Sequence, residues 1–271
     1  MRPPSPAEIL RRAEEEVARH GRVALAQIVR TQGSTPGKAG WKLLLSPDGT
    51  SAGNLGGGAF EAMVEADARA KLAERRPAGE VKRYYLTEDS VKGEATGMVC
   101  GGMAEVFLEV MEAPPVLAVF GGGPVGQALA RAGELAGFDL LVLDDRPAFR
   151  ASELFPPHTT LPEVGRSFAG DYLAALGDRE VYAAVVTRCW ETDTAALGAL
   201  LAAPPARLVY LGLMGSRRKV GRVREELERQ GLPLDGVPFH APIGLPLGGD
   251  APGEIAISIL AQVLQVRHAA D

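Results

Sequence analysis

The sequence contains little cysteine, little histidine and no excess of positive charge. Its 271 residues include two cysteines and four histidines, and the formal net charge is −5. Cys100 and Cys189 stand alone, without a C-x-x-C pair, and the histidines have no ligand spacing. These absences argue against a disulfide framework, a cysteine zinc cluster and a nucleic-acid groove.

Long apolar runs are also missing. No segment reaches the roughly 18 apolar residues that a membrane-spanning helix needs, and residues 1–9 lack the apolar core of a signal peptide. We therefore expect a cytoplasmic protein whose partners are neither a membrane nor a nucleic acid. With 46% hydrophobic and 23% charged residues, the composition is that of an ordinary globular protein.

Glycine is the residue in excess. Its 33 copies make up about 12% of the chain, against about 7% in an average protein. They cluster at 53–58, 101–102, 121–126 and 212–215. Such clusters indicate either close approach of the backbone to a ligand or a series of tight turns.

The pattern of predicted elements changes near residue 113. The elements predicted before it are helices over 6–19 and 60–76, strands over 23–30, 81–86 and 103–110, and a hairpin over 41–55. After Pro114 and Pro115, apolar strands alternate with helices, which is typical of a parallel sheet covered on both faces. We therefore predict an α/β protein, with a smaller mixed-sheet domain at 1–112 and a Rossmann-like domain at 113–271.

The most specific motif is the glycine run at 121–126, in which Gly121, Gly123 and Gly126 give the spacing G-x-G-x-x-G. It follows a predicted strand and opens a helix, and Asp144 ends the next strand. In a dinucleotide fold, such glycines leave room for phosphate at a helix N-terminus and the acid holds a ribose hydroxyl. Because Asp145 follows Asp144, the pattern favours NAD over NADP. A Rossmann fold without cofactor would show the same glycines.

A second strand-to-helix junction is basic. It contains Gly215, Ser216, Arg217, Arg218 and Lys219. Three cations beside free backbone N–H groups predict an anion site. A solvated basic turn is the alternative, although the first turns of helices usually favour acids.

Three further groups have two interpretations each. Cys100, followed by Gly101 and Gly102, is either a thiolate ligand for a metal or sulfur, or a structural cysteine. The loop Gly56, Gly57 and Gly58 either cradles an anion or forms a turn. His240 either touches a ligand or has a structural role.

The sequence also predicts features of two helices in the second domain. Asp193 is expected to be the N-cap of a helix that begins near residue 194, and Cys189 is expected to be a packing residue. The last helix, predicted over 254–267, is apolar on nearly every side, which indicates burial against the sheet or in a homodimer interface.

The order of these motifs resembles that of the XdhC/CoxI family, the accessory factors of xanthine dehydrogenase and related molybdenum hydroxylases. The segments that carry the resemblance are 30–36, 53–61, 98–102, 120–126, 144–147, 215–219 and 240–244. The resemblance implies a chaperone that binds molybdenum cofactor (molybdopterin), assists its sulfuration and delivers it to the apo-enzyme. It also implies a cysteine desulfurase as a second partner.

Within this resemblance, Cys100 lies near the molybdenum, and the glycine loops with Arg217, Arg218 and Lys219 hold the pterin phosphate or its nucleotide. The sequence departs from the family at two places. Family members commonly carry Ser-Gly-Gly-Cys where this chain has glycines 56–58 followed by Ala59, so one thiol is missing. A loop that usually contains histidine is Cys189-Trp190 here.

The function that these features favour is a maturation factor without turnover of its own, because no acid–base or nucleophile constellation is legible. The alternative is an NAD-dependent oxidoreductase that uses the fingerprint at 121–126. A nucleotide-binding regulator is a third, weaker hypothesis.

Overall fold

The computed structural model describes residues 4–75, 77–86, 94–95, 101–168 and 170–269. The chain forms two compact units, Met1–Ala113 and Pro114–Asp271. The division falls at the proline pair that breaks the sequence pattern.

The first unit is built on a six-stranded sheet. In chain order its strands are β1 (Arg22–Gln32), β2 (Lys42–Leu45), β3 (Ser51–Gly53), β4 (Glu80–Leu86), β5 (Glu94–Ala95) and β6 (Gly102–Glu112). Their order across the sheet is β3-β2-β1-β6-β4-β5, and only β4 and β5 pair in parallel. The predicted mixed sheet is confirmed.

Helices α1 (Pro6–His20) and α2 (Gly58–Ala73) cover opposite faces of this sheet. Side chains alternate along β1, so Ala24 and Ala26 pack in the core that contains Phe60 of α2. The intervening Val23 and Leu25 pack in the core with α1.

The second unit is built on a five-stranded parallel sheet. Its strands are β7 (Val116–Phe120), β8 (Asp139–Leu143), β9 (Glu180–Val185), β10 (Arg207–Leu213) and β11 (Phe239–His240). Their order is β11-β10-β9-β7-β8, and every pair is parallel. The predicted Rossmann-like sheet is confirmed.

Four helices cover both faces of the parallel sheet. Helices α3 (Pro124–Leu135) and α6 (Pro252–His268) pack with one buried cluster, and α4 (Trp190–Ala202) and α5 (Arg217–Arg229) pack with the other. Every residue of β7 is buried, which explains why this strand is apolar throughout rather than alternating.

The last helix is less buried than its composition predicts. Ala256, Ile259 and Val263 are buried in the core that α6 shares with α3, whereas Ile257 is 60% exposed. The helix is therefore buried against the sheet along one face only, which accounts for part of the predicted burial. Helix α6 also has apolar residues outside that face, such as Ile257, and a homodimer formed through them stays a prediction.

The connection between β8 and β9 is long and consists of turns. Its helical parts are the 3₁₀ turns Pro147–Phe149, Ser152–Leu154 and Ala174–Leu176. Val164 and Phe168 are buried in the core beneath α4 and α5, and they anchor the segment that carries Arg166.

Candidate functional site

The parallel strands end together at one edge of the second unit's sheet. The chain runs from β7 to β8 on one side and then crosses to β9 on the other, so the strand order reverses between β7 and β9. Open α/β sheets bind ligands in the crevice at such a switch point. The loops after β7, β8, β9 and β10 carry most of the site residues predicted in this unit.

The glycine loop after β7 combines tight packing with one open position. A Cβ on Gly126 would lie 1.8 Å from the Gly121 oxygen, and a Cβ on Gly121 would lie 2.7 Å from the Val186 oxygen. Gly123 is the N-cap of α3, has no side-chain cap, and would place a Cβ in open space. Packing thus accounts for Gly121 and Gly126, while Gly123 leaves the N-terminus of α3 free for a ligand.

Asp144, at the end of β8, is engaged by its own chain. Gly122 N–H donates to Oδ2 at 2.8 Å, and Arg146 donates from Nε and Nη2 at 2.8 and 2.7 Å. Burial alone would raise the pKa of Asp144, but these hydrogen bonds lower it overall. The Arg146 guanidinium also stacks 3.7 Å above the Phe149 ring. The carboxylate predicted to hold a ribose hydroxyl is therefore occupied.

The neighbouring acid, Asp145, is paired with Arg188 from the loop after β9. The guanidinium donates from Nη1 to Oδ1 at 2.5 Å and from Nη2 to Oδ2 at 2.8 Å. The Asp145 side chain is 5% exposed and that of Arg188 is 40% exposed. Hydrogen bonds from Arg188 hold the pKa of Asp145 below its usual range, although burial opposes them.

A polar cavity of about 300 Å³ borders this ion pair. It is lined by Asp145, Arg166, Arg188, Cys189, Glu191 and Thr192. We call it the crevice cavity. Its two guanidinium groups are suited to an anionic ligand. The sequence gives no signal for Arg166, because that residue lies in a connection without regular structure.

Helix α4 begins earlier than the sequence predicts. Cys189 is its N-cap, and the Cys189 Sγ lies 3.1 Å from Thr192 Oγ1. Asp193 is inside the helix and fully buried, so the prediction that it caps the helix is wrong. Its carboxylate turns inward because it accepts from Thr187 Oγ1 at 2.6 Å and pairs with Lys219.

The basic turn after β10 does not present its cations as one group. The Lys219 ammonium pairs with Asp193 and donates to the Met214 oxygen at 3.0 Å. Ser216 is the N-cap of α5 and accepts from Lys219 N at 3.3 Å. Arg217 and Arg218 are exposed. The turn therefore offers two guanidinium groups to solvent, while Lys219 is held internally.

His240 packs against the sheet. Its ring stacks on that of Tyr210, with centroids 4.6 Å apart, and burial lowers the pKa of His240. The Tyr210 hydroxyl donates to Gln262 Oε1 on α6 at 2.6 Å. These contacts favour the structural role, and His240 does not line the crevice cavity.

The glycine loop of the first unit already holds an anion. Glu61 Oε2 accepts from Leu55 N at 2.7 Å and from Gly57 N at 3.3 Å. Gly57 and Gly58 have φ of +75° and +67°, a backbone conformation that glycine adopts without strain. A side chain at either position would face open space. Of the glycines predicted to cradle a ligand, Gly57 thus donates to a carboxylate from the next helix, and Gly56 N–H donates to the Asn54 side chain.

Three predicted segments meet in the first unit. A Cβ on Gly102 would lie 2.0 Å from the Ser34 oxygen, and a Cβ on Gly56 would lie 2.7 Å from Pro36. Segment 30–36 therefore lies against both the 53–58 loop and the Gly101–Gly102 pair. Cys100 lies outside the described residues.

Among the described residues, no group of three or more His, Cys, Asp and Glu side chains is arranged to hold a metal ion. Within the same ranges, none of the helices combines the length and apolar character that crossing a bilayer requires.

Two family models match the chain. Residues 117–263 match the XdhC Rossmann domain, and residues 16–85 match the XdhC and CoxI family. These ranges contain the crevice of the second unit and the 30–36 and 53–61 segments of the first.

Two curated relatives are similar to this chain, one over most of its length and the other over part of it. Uncharacterized protein YqeB of Escherichia coli (strain K12) is 37% identical over 248 residues, which are 90% of this chain and 43% of that protein. A probable xanthine dehydrogenase subunit of Bacillus subtilis (strain 168) is 32% identical over 163 residues, which are 60% of this chain and 46% of that protein. The chain thus spans less than half the length of these two curated relatives.

A solved structure has a similar fold. The crystal structure of a xanthine dehydrogenase from Bacillus halodurans has a TM-score of 0.50 and 21% identity, and the match covers 99% of this chain and 97% of that one. At this identity the likeness concerns the fold alone.

Proposed function

The chain belongs to the XdhC and CoxI family, and on that premise we propose that it is an accessory factor for an enzyme of the xanthine dehydrogenase type. The similarity to a probable xanthine dehydrogenase subunit supports this link. In this role the chain binds molybdenum cofactor, assists its sulfuration and delivers it to the molybdenum hydroxylase apo-enzyme.

The observation that carries the proposal is the crevice at the switch point. There the N-terminus of α3 is open at Gly123. The crevice cavity adds Arg166 and Arg188. A phosphate-bearing cofactor matches this combination, because backbone N–H groups and guanidinium groups are the usual phosphate donors in proteins.

The residues fit the cofactor at its phosphate end and offer one thiol. Arg188 would hold the phosphate, and Cys189 lines the same cavity. Thiolates are the protein ligands that suit a soft metal centre. The redox chemistry that the bound molybdenum supplies belongs to the enzyme that receives it.

A role without turnover agrees with the side chains in the crevice. No described histidine lines the crevice cavity, Asp145 is held by Arg188, and Glu191 accepts a hydrogen bond from the Cys189 thiol. The geometry supports holding and protecting a ligand more than converting it.

The proposal is tested by retention of the cofactor. Purified chain is incubated with molybdenum cofactor and passed over a gel-filtration column, and pterin fluorescence is assayed in the protein fraction. We expect pterin to elute with the protein. Absence of pterin from that fraction would contradict the proposal.

Variants distinguish which thiol contributes to cofactor retention. Cys100→Ala should retain less cofactor if the family's metal-proximal thiol acts here, and Cys189→Ala should retain less if the thiol of the crevice cavity acts instead. Ala59→Cys restores the thiol that family members carry at this exposed position, and it should increase retention. Equal retention by all three variants and the wild type would remove thiol ligation from the proposal.

The proposed partners are the apo-enzyme and a cysteine desulfurase, and the chain is proposed to act as a homodimer. Size-exclusion chromatography with light scattering measures each association. Ile257→Lys places a charge on the exposed side of α6, so it should convert a dimer formed through that face into a monomer. A dimer that persists in Ile257→Lys would exclude α6 as the interface.

The alternative, an NAD-dependent oxidoreductase, has the fingerprint at 121–126 in its favour. The contacts of Asp144 weigh against it, because both carboxylate oxygens are engaged by Arg146 and Gly122. Calorimetric titration with NADH decides between the two. Saturable binding below millimolar concentration would favour the oxidoreductase.

A further inference from the structure

The crevice of the second unit contains two internal ion pairs. Asp144 pairs with Arg146, and Asp145 pairs with Arg188. The first pair is local, since its members are two residues apart. The second joins residues 43 positions apart and has the parallel, two-bond geometry that guanidinium groups form with carboxylates and with phosphates.

The Asp145–Arg188 pair crosses the carboxyl end of β7. Asp145 follows β8 and Arg188 follows β9, and β7 lies between these strands in the sheet. Phe120, the last residue of β7, is in register with the last residues of both neighbours, Leu143 and Val185. A bond between the two loops must therefore pass the point where the glycine loop begins. This is where a ligand at the switch point would lie.

The charged groups that line the crevice cavity are two arginines and two acids, so their formal charges balance. Arg166 has no ion-pair partner among the described residues. Glu191 stays charged, because hydrogen bonds at the start of α4 and the nearby Arg222 lower its pKa. With Asp145 and Arg188 paired, Arg166 is the lining guanidinium that can bind an anion, and a phosphate binds Arg188 only by displacing Asp145.

We propose that, in the free protein, Asp145 occupies the position on Arg188 that a ligand phosphate takes in the complex. The crevice then recognises a phosphate or diphosphate group and does not recognise a ribose diol, because the Asp144 oxygens remain bonded to Gly122 and Arg146. This deepens the proposed function and rests on it only for the crevice as the ligand site. The released Asp145 carboxylate stays beside Arg146, the next residue, whose charge already acts on it.

The first test compares a bare diphosphate with two nucleotides that differ only in the ribose diol. Inorganic pyrophosphate, ADP and 2′,3′-dideoxy-ADP are titrated into the whole chain by calorimetry. We expect the two nucleotides to bind with dissociation constants within about twofold of each other, since Asp144, the acid placed to hold a ribose diol, stays bonded to Gly122 and Arg146. A dideoxy nucleotide that binds about tenfold more weakly than ADP overturns the proposal, and so does a lack of pyrophosphate binding at millimolar concentration.

The second test distinguishes displacement of Asp145 from Arg188 from a general effect of negative charge on phosphate binding. Asp145→Asn and Glu191→Gln each remove one negative charge from the lining of the same cavity, but only Asp145 holds Arg188. Asp145→Asn should tighten pyrophosphate binding about tenfold, which corresponds to about 1.4 kcal/mol. Glu191→Gln should tighten it by less than about threefold, and Arg188→Gln should weaken it by about tenfold or more. Equal gains in Asp145→Asn and Glu191→Gln overturn the proposal.

A remote control and a paired readout complete the design. Asp139→Asn breaks the Asp139–Arg179 pair at the opposite end of β8 and should leave binding unchanged; any gain there matching that of Asp145→Asn overturns the proposal. The same preparations are assayed for pterin retention. Pterin retained without pyrophosphate binding overturns this inference alone, and pyrophosphate bound as expected without pterin overturns the proposed cargo alone.

Discussion

The carboxylate of Asp193 and the ammonium of Lys219 form an ion pair that ties the first turn of α4 to the first turn of α5. Asp193 is fully buried and Lys219 is 22% exposed. Burial raises the pKa of Asp193, while Lys219 and Thr187 act in the opposite direction. The pair fixes the two loops that border the carboxyl ends of β9 and β10.

Removing one member of this pair should destabilise the second unit strongly. Lys219→Met leaves the Asp193 carboxylate buried without its cation, which costs about 3 kcal/mol or more. Chemical denaturation followed by circular dichroism measures the free energy of unfolding. Asp193→Asn combined with Lys219→Met should cost less than the sum of the single changes, because the two side chains interact.

The control for that experiment is the exposed pair Glu226–Arg229 on α5. Glu226→Gln should leave the unfolding curve unchanged, since exposed ion pairs contribute little. A Lys219→Met variant as stable as Glu226→Gln would show that the buried pair is not needed for the fold.

Replacing glycine by alanine should have different effects at two positions of the loop after β7. Gly126→Ala forces a methyl group to within 1.8 Å of the Gly121 oxygen, so we expect a loss of about 2–3 kcal/mol. Gly123→Ala meets no neighbouring atom and should change stability by less than about 1 kcal/mol. Its methyl group lies at the open N-terminus of α3, so pyrophosphate binding should weaken. Thermal unfolding and calorimetry distinguish the two positions, and full binding by Gly123→Ala would contradict the location of the site.

Cys189 should be replaceable with a gain in stability. It is the N-cap of α4, with extended backbone and no side-chain hydrogen bond to the helix N–H groups. Serine accepts such bonds readily, so Cys189→Ser should stabilise the chain by about 0.5–1 kcal/mol. Cys189→Ala lacks the acceptor and is the matched control. If serine stabilises no more than alanine, the first turn of α4 does not have the N-cap geometry described.

The strands of the second unit can be predicted closely from the sequence. The strand predicted before the glycine run at 121–126 is β7, whose apolar run is bounded by Pro115 and Gly121. Continuous apolar strands also indicate the parallel sheet correctly. The predicted start of α4 falls four residues late, because its first turn is polar and resembles a loop.

Local sequence patterns do not predict which residues of the site bond to one another. Asp145 and Arg188 are visible as charges at the ends of strands, but their pairing depends on the strand order β8-β7-β9. Glu61 is visible as part of a motif, yet its carboxylate fills the loop that is expected to hold a ligand. Contacts between distant residues decide which of the candidate groups are free, and only the fold provides them.

His240 should make the stability of the second unit depend on pH. Burial lowers its pKa from the usual value near 6.5, so the folded state favours the neutral ring stacked on Tyr210. As pH falls through about 6.5, the unfolded chain takes up the proton first, and stability decreases until the pH reaches the lower pKa of the folded state. We expect the melting temperature of the wild type to fall between about pH 7.5 and 5.5, and His240→Gln to lose part of that dependence. His268→Gln, at an exposed position, is the control. Identical pH profiles for the wild type and His240→Gln would mean that the stacked ring accepts a proton as readily as a histidine in the unfolded chain.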